Sequence, residues 1–461
     1  MASLEITITL KSPLISGRPR QGSVMKTYSY VPGSVLRGAL AGVLMSEWTP
    51  EQRAVAHPED CPDRAACSLC SVLYPLEGEQ PRFSDCHPVL RDSDGLTLLP
   101  LSAMTCKQFG GFLSYKVVDR ERELENHGIQ DTLIRQAAAR DAAAARQDLP
   151  YWYTLTCPIC REALEPPEGA AFGEIGDVRY IAKPIIRRFS RTAINRRRGT
   201  AQDGQLFTLE VIGEQMTLSP GLPGVSEKKK TKIAATSFRG QLDPGGAPLE
   251  DLKKALRNVT ALGSSASRGM GEVAEVRVRR GRSMKESGLS PADFCAQINE
   301  GHFKTAQNSG ALLERIVSFN AAIAGERAFY KAMDLEVLPG PWYFTLDLLS
   351  PAFHRHLGLP TLQLTPQMLG LPGGVTLDFE IVESLERGGW SNAWGLPRAR
   401  QVGMAAGSVF MYRVDTTDAE EIALIIERLR ALEENGAGSD RVRGAGRLQV
   451  CAPFHQEVEP V

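Results

Sequence analysis

No apolar run in this 461-residue chain is long enough to cross a bilayer, which excludes a membrane-spanning helix. The opening Met1-Ala-Ser-Leu-Glu5 lacks a basic region followed by an apolar one. No signal peptide is evident there, and the chain is expected in the cytoplasm. Net charge is scarce, with 53 Lys and Arg against 54 Asp and Glu, a balance of −1. Any nucleic-acid surface must therefore be a local patch rather than a global field. Histidine is scarce as well: seven residues, scattered. His354 and His356 form the best remaining pair for acid–base work, against a bland reading as polar loop residues. There is no carboxylate between Glu5 and Glu47. In a cytoplasmic chain the nine cysteines point to metal ligands or buried thiols rather than disulfides.

What the chain does have is length for two to three domains and, at 43% hydrophobic, material for real cores. It is organised around Gly263–Gly271, a loop of glycines and serines with Arg268, leading into the alternating strand pattern Val273–Val278. Glycines let such a loop turn with positive φ and aim consecutive N–H groups at a phosphate, and Arg268 adds a charge-assisted fork. A tight turn before a strand is the bland alternative. A second copy favours the functional reading: Arg443-Gly444-Ala445-Gly446 precedes another strand-like run, Arg447–Cys451. Upstream, strand-like runs end in Ser12-Pro13 and again in Ser350-Pro351. The pattern reads as two copies of one module, the first heavily inserted.

Taken in order, residues 14–30 are polar and basic, with Arg18, Arg20 and Lys26. Pro32-Gly33 makes a turn, Ser34 is the expected N-cap, and an amphipathic helix carrying Arg37 follows. That helix start suits a phosphate, or is an ordinary capped core helix. Cys67 and Cys70 have a metal-ligand gap, with Cys61 and Cys86, or His57 and His87, to complete four donors. The second group is stronger: Cys157-Pro-Ile-Cys160 is a knuckle, and Cys106 and His127 complete a closed, structural zinc set at the base of a helix spanning about 129–147.

A basic tract follows, with Arg179, Lys183, Arg187, Arg188, Arg191, Arg196, Arg197 and Arg198 interleaved with Tyr180 and Phe189. It reads as a hairpin with a basic tip, or as a solvated face. Lys228, Lys229, Lys230 and Lys232 form a second basic spot. Ser290-Pro291 starts a helical stretch to about Lys331, read as a connector. Gly389–Arg400 mixes two tryptophans with two arginines, which suits base stacking or a protein interface. An ordinary core helix is expected over 418–434.

Pro32-Gly33-Ser34 with Arg37-Gly38-Ala39-Leu40, Leu206-Phe207 after the basic segment, and the Ser267–Gly271 loop together resemble the RAMP superfamily of CRISPR proteins. The layout is similar to the tandem-RAMP subunit of type III-D effector complexes. The resemblance implies an α+β fold of two ferredoxin-like modules, the first with large insertions including a zinc region. Residues 1–282 would be the first module, with a Cys-rich insertion at about 50–175 and the basic hairpin at about 179–211. Residues 283–340 would connect it to a second module at 341–461.

The resemblance further implies guide-RNA contacts from Ser267, Arg268, Gly269, Met270 and Gly271, from Arg443, Gly444 and Gly446, and from the hairpin acting as a thumb. The expected role is a non-catalytic subunit that holds the 5′ handle of a CRISPR guide RNA. Target RNA would be met indirectly through pairing. Partners would be RAMP backbone subunits and a large polymerase-like subunit. Slicing members carry an aspartate between the first strand and the Pro-Gly-Ser helix, where this chain has no carboxylate. The alternatives are an endoribonuclease using His354 or Asp177, and a zinc-stabilised scaffold for protein contacts.

Overall fold

A computed structural model describes residues 3–17, 24–46, 59–62, 64, 67–74, 81–118, 121–145, 156–195, 197–219, 232–281, 289–301, 303, 310–391 and 396–461. Arg18, Arg20, His57, Arg196, Lys228, Lys229 and Lys230 lie outside them.

Two antiparallel sheets organise the chain. In the first, Leu4–Leu10 lies between Val273–Arg280 and Ser237–Asp243, and the short strand Arg82–Phe83 pairs with the far side of Ser237–Asp243. Leu4, Ile6, Ile8 and Leu10 alternate onto one face, as a strand period of two requires. They meet Leu36, Leu40 and Leu44 of helix Gly33–Ser46 and Leu252 and Leu256 of helix Leu249–Arg257. In the second sheet, Trp342–Leu348 lies between Val409–Val414 and Leu448–Val450, with Val375–Ile381 outside. Numbered within each half, the four strands named run in the order 2-3-1-4 in both sheets, and the first carries a fifth, short strand, His87–Pro88, on Ser237–Asp243.

The two halves differ in their helices. Helix Ala419–Asn435, capped by Asp418 accepting the amides of Glu420 and Glu421 at 3.0 Å, lies between the third and fourth strands as its counterpart does. No counterpart of helix Gly33–Ser46 follows the first strand of the second half. Helix Leu312–Lys331 packs there instead, burying Leu313, Ile316, Phe319 and Ile323 in the second core. Asn320 joins it to the sheet, accepting the Tyr343 amide and donating to the Tyr343 carbonyl, both at 2.8 Å. Helix Leu312–Lys331, within the stretch read as a connector, is therefore part of the second core. Ser290 caps helix Pro291–Glu300 as expected, accepting the Asp293 amide.

Between the second and third strands of each sheet the chain makes an excursion. In the first half it runs through the cysteine-rich region into a hairpin, Val178–Asn195 and Thr200–Ser219, longer than the expected 179–211. In the second half it is a shorter ribbon in which Ser384–Arg387 pairs with Gln401–Met404.

The helix expected at 129–147 starts later, at Leu133–Ala145, because Ile129–Asp131 pairs as a strand with Ala103–Cys106. Helix Leu133–Ala145 packs into the second core, and the chain's last residues lie across the same insertion. Val461 exchanges backbone hydrogen bonds with Ile129, at 3.1 and 3.2 Å. Beneath this contact His455 is fully buried between Asp131 of the insertion and Asp347 of the second sheet, at 3.1 and 2.6 Å.

Candidate nucleic-acid interface and metal centre

The two glycine loops have one design. Ser265 and Asp440 both adopt left-handed backbone conformations, with φ of 64° and 59°, and each precedes one 3-10 turn. Gly269 and Gly271 in the first loop, and Gly444 and Gly446 in the second, also have positive φ. The Gly271 amide donates to Pro13 O at 2.7 Å, and the Gly446 amide to Pro351 O at 2.9 Å. Ser12 Oγ accepts the Glu272 amide and Ser350 Oγ the Arg447 amide, each at 2.9 Å. The repeated Ser-Pro thus serves as the loop's clasp.

The same bonds revise the expected chemistry. The amides of Arg268, Gly269, Met270 and Gly271 all donate to carbonyls within the protein, as do those of Arg443, Gly444, Ala445 and Gly446. The Met270 side chain is buried against Ile15, Leu209 and Val211, midway along the hairpin. What the first loop offers outward is the exposed Ser267 and Arg268. Arg268→Ala is expected to weaken binding of single-stranded RNA several-fold with an unchanged melting temperature, since no fold contact is lost; unaltered affinity at physiological salt would count against a contact there.

The second loop closes onto the first half. A side chain at Gly444 would collide with the Phe83 carbonyl, beside Gly33 at the start of helix Gly33–Ser46. Asp85 Oδ1 accepts the Gly33 amide at 2.7 Å. The helix N-terminus expected to suit a phosphate is thus already capped by a carboxylate, and Ser34 stands one residue inside the helix rather than at its cap.

Around this seam four guanidinium groups converge. Arg37 donates to Val72 O at 3.1 Å and Leu73 O at 2.9 Å. Burial, then the charges of Arg443 and Arg398, push it down to about 10. Arg398 is lowered by burial and by Arg443. Arg387 is buried, with Nη2 at 3.5 Å from Asp85 Oδ1 and Nη1 lacking a hydrogen-bond partner. Arg443 pairs with Asp440 at 3.2 Å. Burial would lower Arg387, but Asp85, Tyr30, Tyr28 and Asp440 raise it, whereas Arg37 and Arg398 stay below their ordinary value. Four cations thus share two carboxylates, Asp85 and Asp440, at this seam. Arg398 comes from the Trp/Arg segment singled out in the sequence, while Arg387 carried no local signal.

The long hairpin is less free than its composition suggests. Lys183 pairs with Glu168 at 2.7 Å, Arg187 with Glu214 at 2.9 Å, and Arg188 with Glu210 at 3.0 Å. Arg179 bridges Glu174 and Glu457. Among the described residues, the hairpin cations left for a ligand lie toward the tip: half-buried Arg191 and exposed Arg197 and Arg198, whose amides donate to Asn195 Oδ1. Ile194 and Leu206 are each 67% exposed near that tip. Lys26 adjoins strand Val24–Met25, which pairs in parallel with Thr208 and Leu209 of the hairpin.

Cys106, His127, Cys157 and Cys160 place one ligand atom each within 4.8 Å of the others. Cys106 Sγ is 3.5 Å from Cys160 Sγ, and Cys157 Sγ is 3.5 Å from His127 Nδ1. Four donors about 2.0–2.3 Å from a tetrahedral zinc would lie roughly 3.3–3.8 Å apart. Burial raises the Cys157 thiol, but the amides of Cys160 and Ile159 and the neighbouring Cys160 and Cys106 bring it below its ordinary value. Cys106 moves the other way, pushed up to about 11 chiefly by burial, so it is the donor set and its spacing that fit a closed zinc centre. Cys61, Cys67 and Cys70 form a second cluster. Cys86 does not join it: strand-like pairing with Val31 holds it fully buried in the first core. His87 is also buried and stacks on Tyr30.

Of the residues considered for cleavage, Asp177 is exposed in the turn before the long hairpin. His354 is lowered by burial, and its buried Nε2 has no hydrogen-bond partner. His356 is exposed on the same short strand, His354–His356.

Comparison with known proteins gives one family: the RAMP superfamily model matches residues 7–274. No curated protein matches the chain. Among solved structures, a type III-B Cmr-beta complex bound to cognate target RNA and AMPPnP contains a similar chain, at 8% identity and a TM-score of 0.35, covering 88% of this chain and 86% of that one. A chain of Cmr-beta in its apo state matches at 13% identity and a TM-score of 0.27, covering 60% and 96%. A Cas6 product complex matches at 13% and 0.24, covering 48% and 78%.

Proposed function

The chain belongs to the RAMP superfamily, and we propose that within it the protein is a non-catalytic subunit of a type III CRISPR effector complex that holds the guide RNA by its 5′ handle. The observation that carries this reading is geometric: Arg387 lies 3.5 Å from Asp85, which caps the helix of Arg37. Arg443 pairs with Asp440 beside Gly444, which packs on Phe83 and Gly33 at the seam between the two halves, where Arg398 also acts on Arg37 and Arg443. Like charges gathered at a part-buried site repel one another, and the two facing carboxylates offset only part of that. A phosphate backbone would neutralise the remainder, and it is the ligand class such a cluster fits best. Exposed Arg268 and the tip residues Arg197 and Arg198 extend the basic surface. Side chains would supply affinity and register, and base pairing between guide and target the sequence specificity.

The shared strand order supports reading the halves as two ferredoxin-like modules, and the tandem layout supports the type III-D subtype. The lack of any carboxylate between Glu5 and Glu47 supports a non-catalytic role. Backbone RAMP subunits, a large polymerase-like subunit and target RNA would be the partners, and zinc in the Cys₃His centre a structural cofactor.

Arg398→Gln tests the reading. The full chain should bind a single-stranded handle RNA about tenfold more weakly, with the slope of log K against log salt reduced by roughly one. Its melting temperature should hold or rise, because a repelling cation is gone. Equal affinity and slope in variant and parent would refute the assignment.

A further inference from the structure

The most exposed large apolar side chains among the described residues do not lie on a broad face. They lie on two hairpins: Leu357 at 89% and Leu359 at 71% on one, Ile194 and Leu206 at 67% each on the other. The first is the small hairpin His354–His356 and Leu359–Thr361, in which His356 pairs with Leu359 across a two-residue turn. That turn is Leu357-Gly358, with φ of 50° and 83°. Positive φ at both positions defines the tight hairpin turn for which Asn-Gly is the favoured pair. A leucine there is both sterically strained and presented to water, so neither folding nor solubility accounts for it.

Its surroundings say what it meets. Arg355 reaches over the turn to Gly358 O at 3.5 Å, and the exposed His356 flanks it. The hairpin base joins the arginine cluster. Phe353 O accepts the Ser439 amide of the second glycine loop at 3.0 Å, and the Arg387 guanidinium lies 6.0 Å from the Phe353 ring centroid. The hairpin also follows Ser350-Pro351 as segment 14–28 follows Ser12-Pro13, and the bond from Ser264 N to Ile15 O repeats the one from Ser439 N to Phe353 O. An apolar tip beside the Arg355 guanidinium and rising from the edge of the arginine cluster has the character of a side chain that stacks against or between bases.

We propose that hairpin 354–361 is a second RNA-contacting prong, with Leu357 packing against an unstacked base of the strand as it leaves the arginine cluster. The proposal rests on the RNA-binding reading above and adds a contact that reading does not require.

The test is Leu357→Asn in the full chain. Asparagine suits the turn, so the melting temperature should stay or rise. Binding of a single-stranded handle RNA should weaken at least about fivefold, the low end of what one base stack is worth. With 2-aminopurine at successive positions of that RNA, the parent should show enhanced fluorescence at one nucleotide, lost in Leu357→Asn and retained in Leu357→Phe. If Leu357→Asn leaves affinity and the fluorescence profile unchanged while Arg398→Gln weakens binding, the prong is refuted and the arginine assignment stands. If Arg398→Gln is also silent, both fall. If Leu357→Asn abolishes self-association or capture of a neighbouring subunit with RNA affinity intact, the tip is a protein contact and the proposal is overturned.

Discussion

Replacing His455 with glutamine is expected to destabilise the protein by about 3–5 kcal/mol, the range for breaking a buried ion pair from one side. The imidazole is fully buried, and burial alone would lower it. The carboxylates of Asp347 and Asp131 outweigh that and raise it to about 10. Both carboxylates are also tied to the fold. Asp131 accepts Ser102 Oγ at 2.5 Å and the Leu133 amide at 2.9 Å; Asp347 accepts Thr345 Oγ1 at 2.7 Å and the Ala452 amide at 2.8 Å. Removing the cation leaves two buried anions facing each other between the insertion and the second sheet.

A pH dependence follows with a definite sign. The histidine's folded value lies above its unfolded one, so its contribution is complete below about pH 6.5. It is lost as pH rises toward about 10, at up to roughly 1.4 kcal/mol per pH unit. Denaturant midpoints measured from pH 6 to 9 should fall in the parent more steeply than in His455→Gln. Parallel curves would show that the buried histidine is not held protonated.

Cys157→Ser is expected to have an effect of similar or larger size, centred on the insertion. Structural zinc in small finger peptides is worth roughly 10–16 kcal/mol of apparent binding energy, because the unfolded ligands hold no site. Here the four donors tie strand Ala103–Cys106 and the residue after strand Glu121–Asn126 to the 157–160 turn. Phe109 packs on the His127 ring, and the amide of His127 donates to Phe109 O at 2.9 Å. Metal analysis should find one zinc fewer in the variant, and chelation of the parent should open residues 106–113 and 156–165 to proteolysis while the sheet Trp342–Leu348/Val409–Val414 and helix Leu133–Ala145 stay protected. A variant with full zinc content and the parent's protease pattern would refute the assignment. Because the chain's last residues pair with Ile129 beside His127, metal loss and His455→Gln should act on the same contact and combine less than additively.

What the sequence determined by itself was local. Glycine and serine spacing specified both loops and their Ser-Pro clasps, since turn conformations depend on a few neighbouring residues. Ser290 marked a helix start for the same reason, and the Cys-x-x-Cys knuckle placed two thiols of one cluster at once. The tertiary structure decided which charges are free. Arg187 and Arg188 look like RNA ligands in the sequence, but their glutamates arrive from the opposite strand of the hairpin. The helix N-terminus beside Ser34 looks open, but Asp85 arrives from elsewhere in the chain to fill it. Arg387, missed altogether, reaches the seam only because the ribbon of the second half folds back onto the first. Local periodicity is encoded within a turn or two of chain. Electrostatic partnership depends on which distant segments the topology brings within a few ångströms.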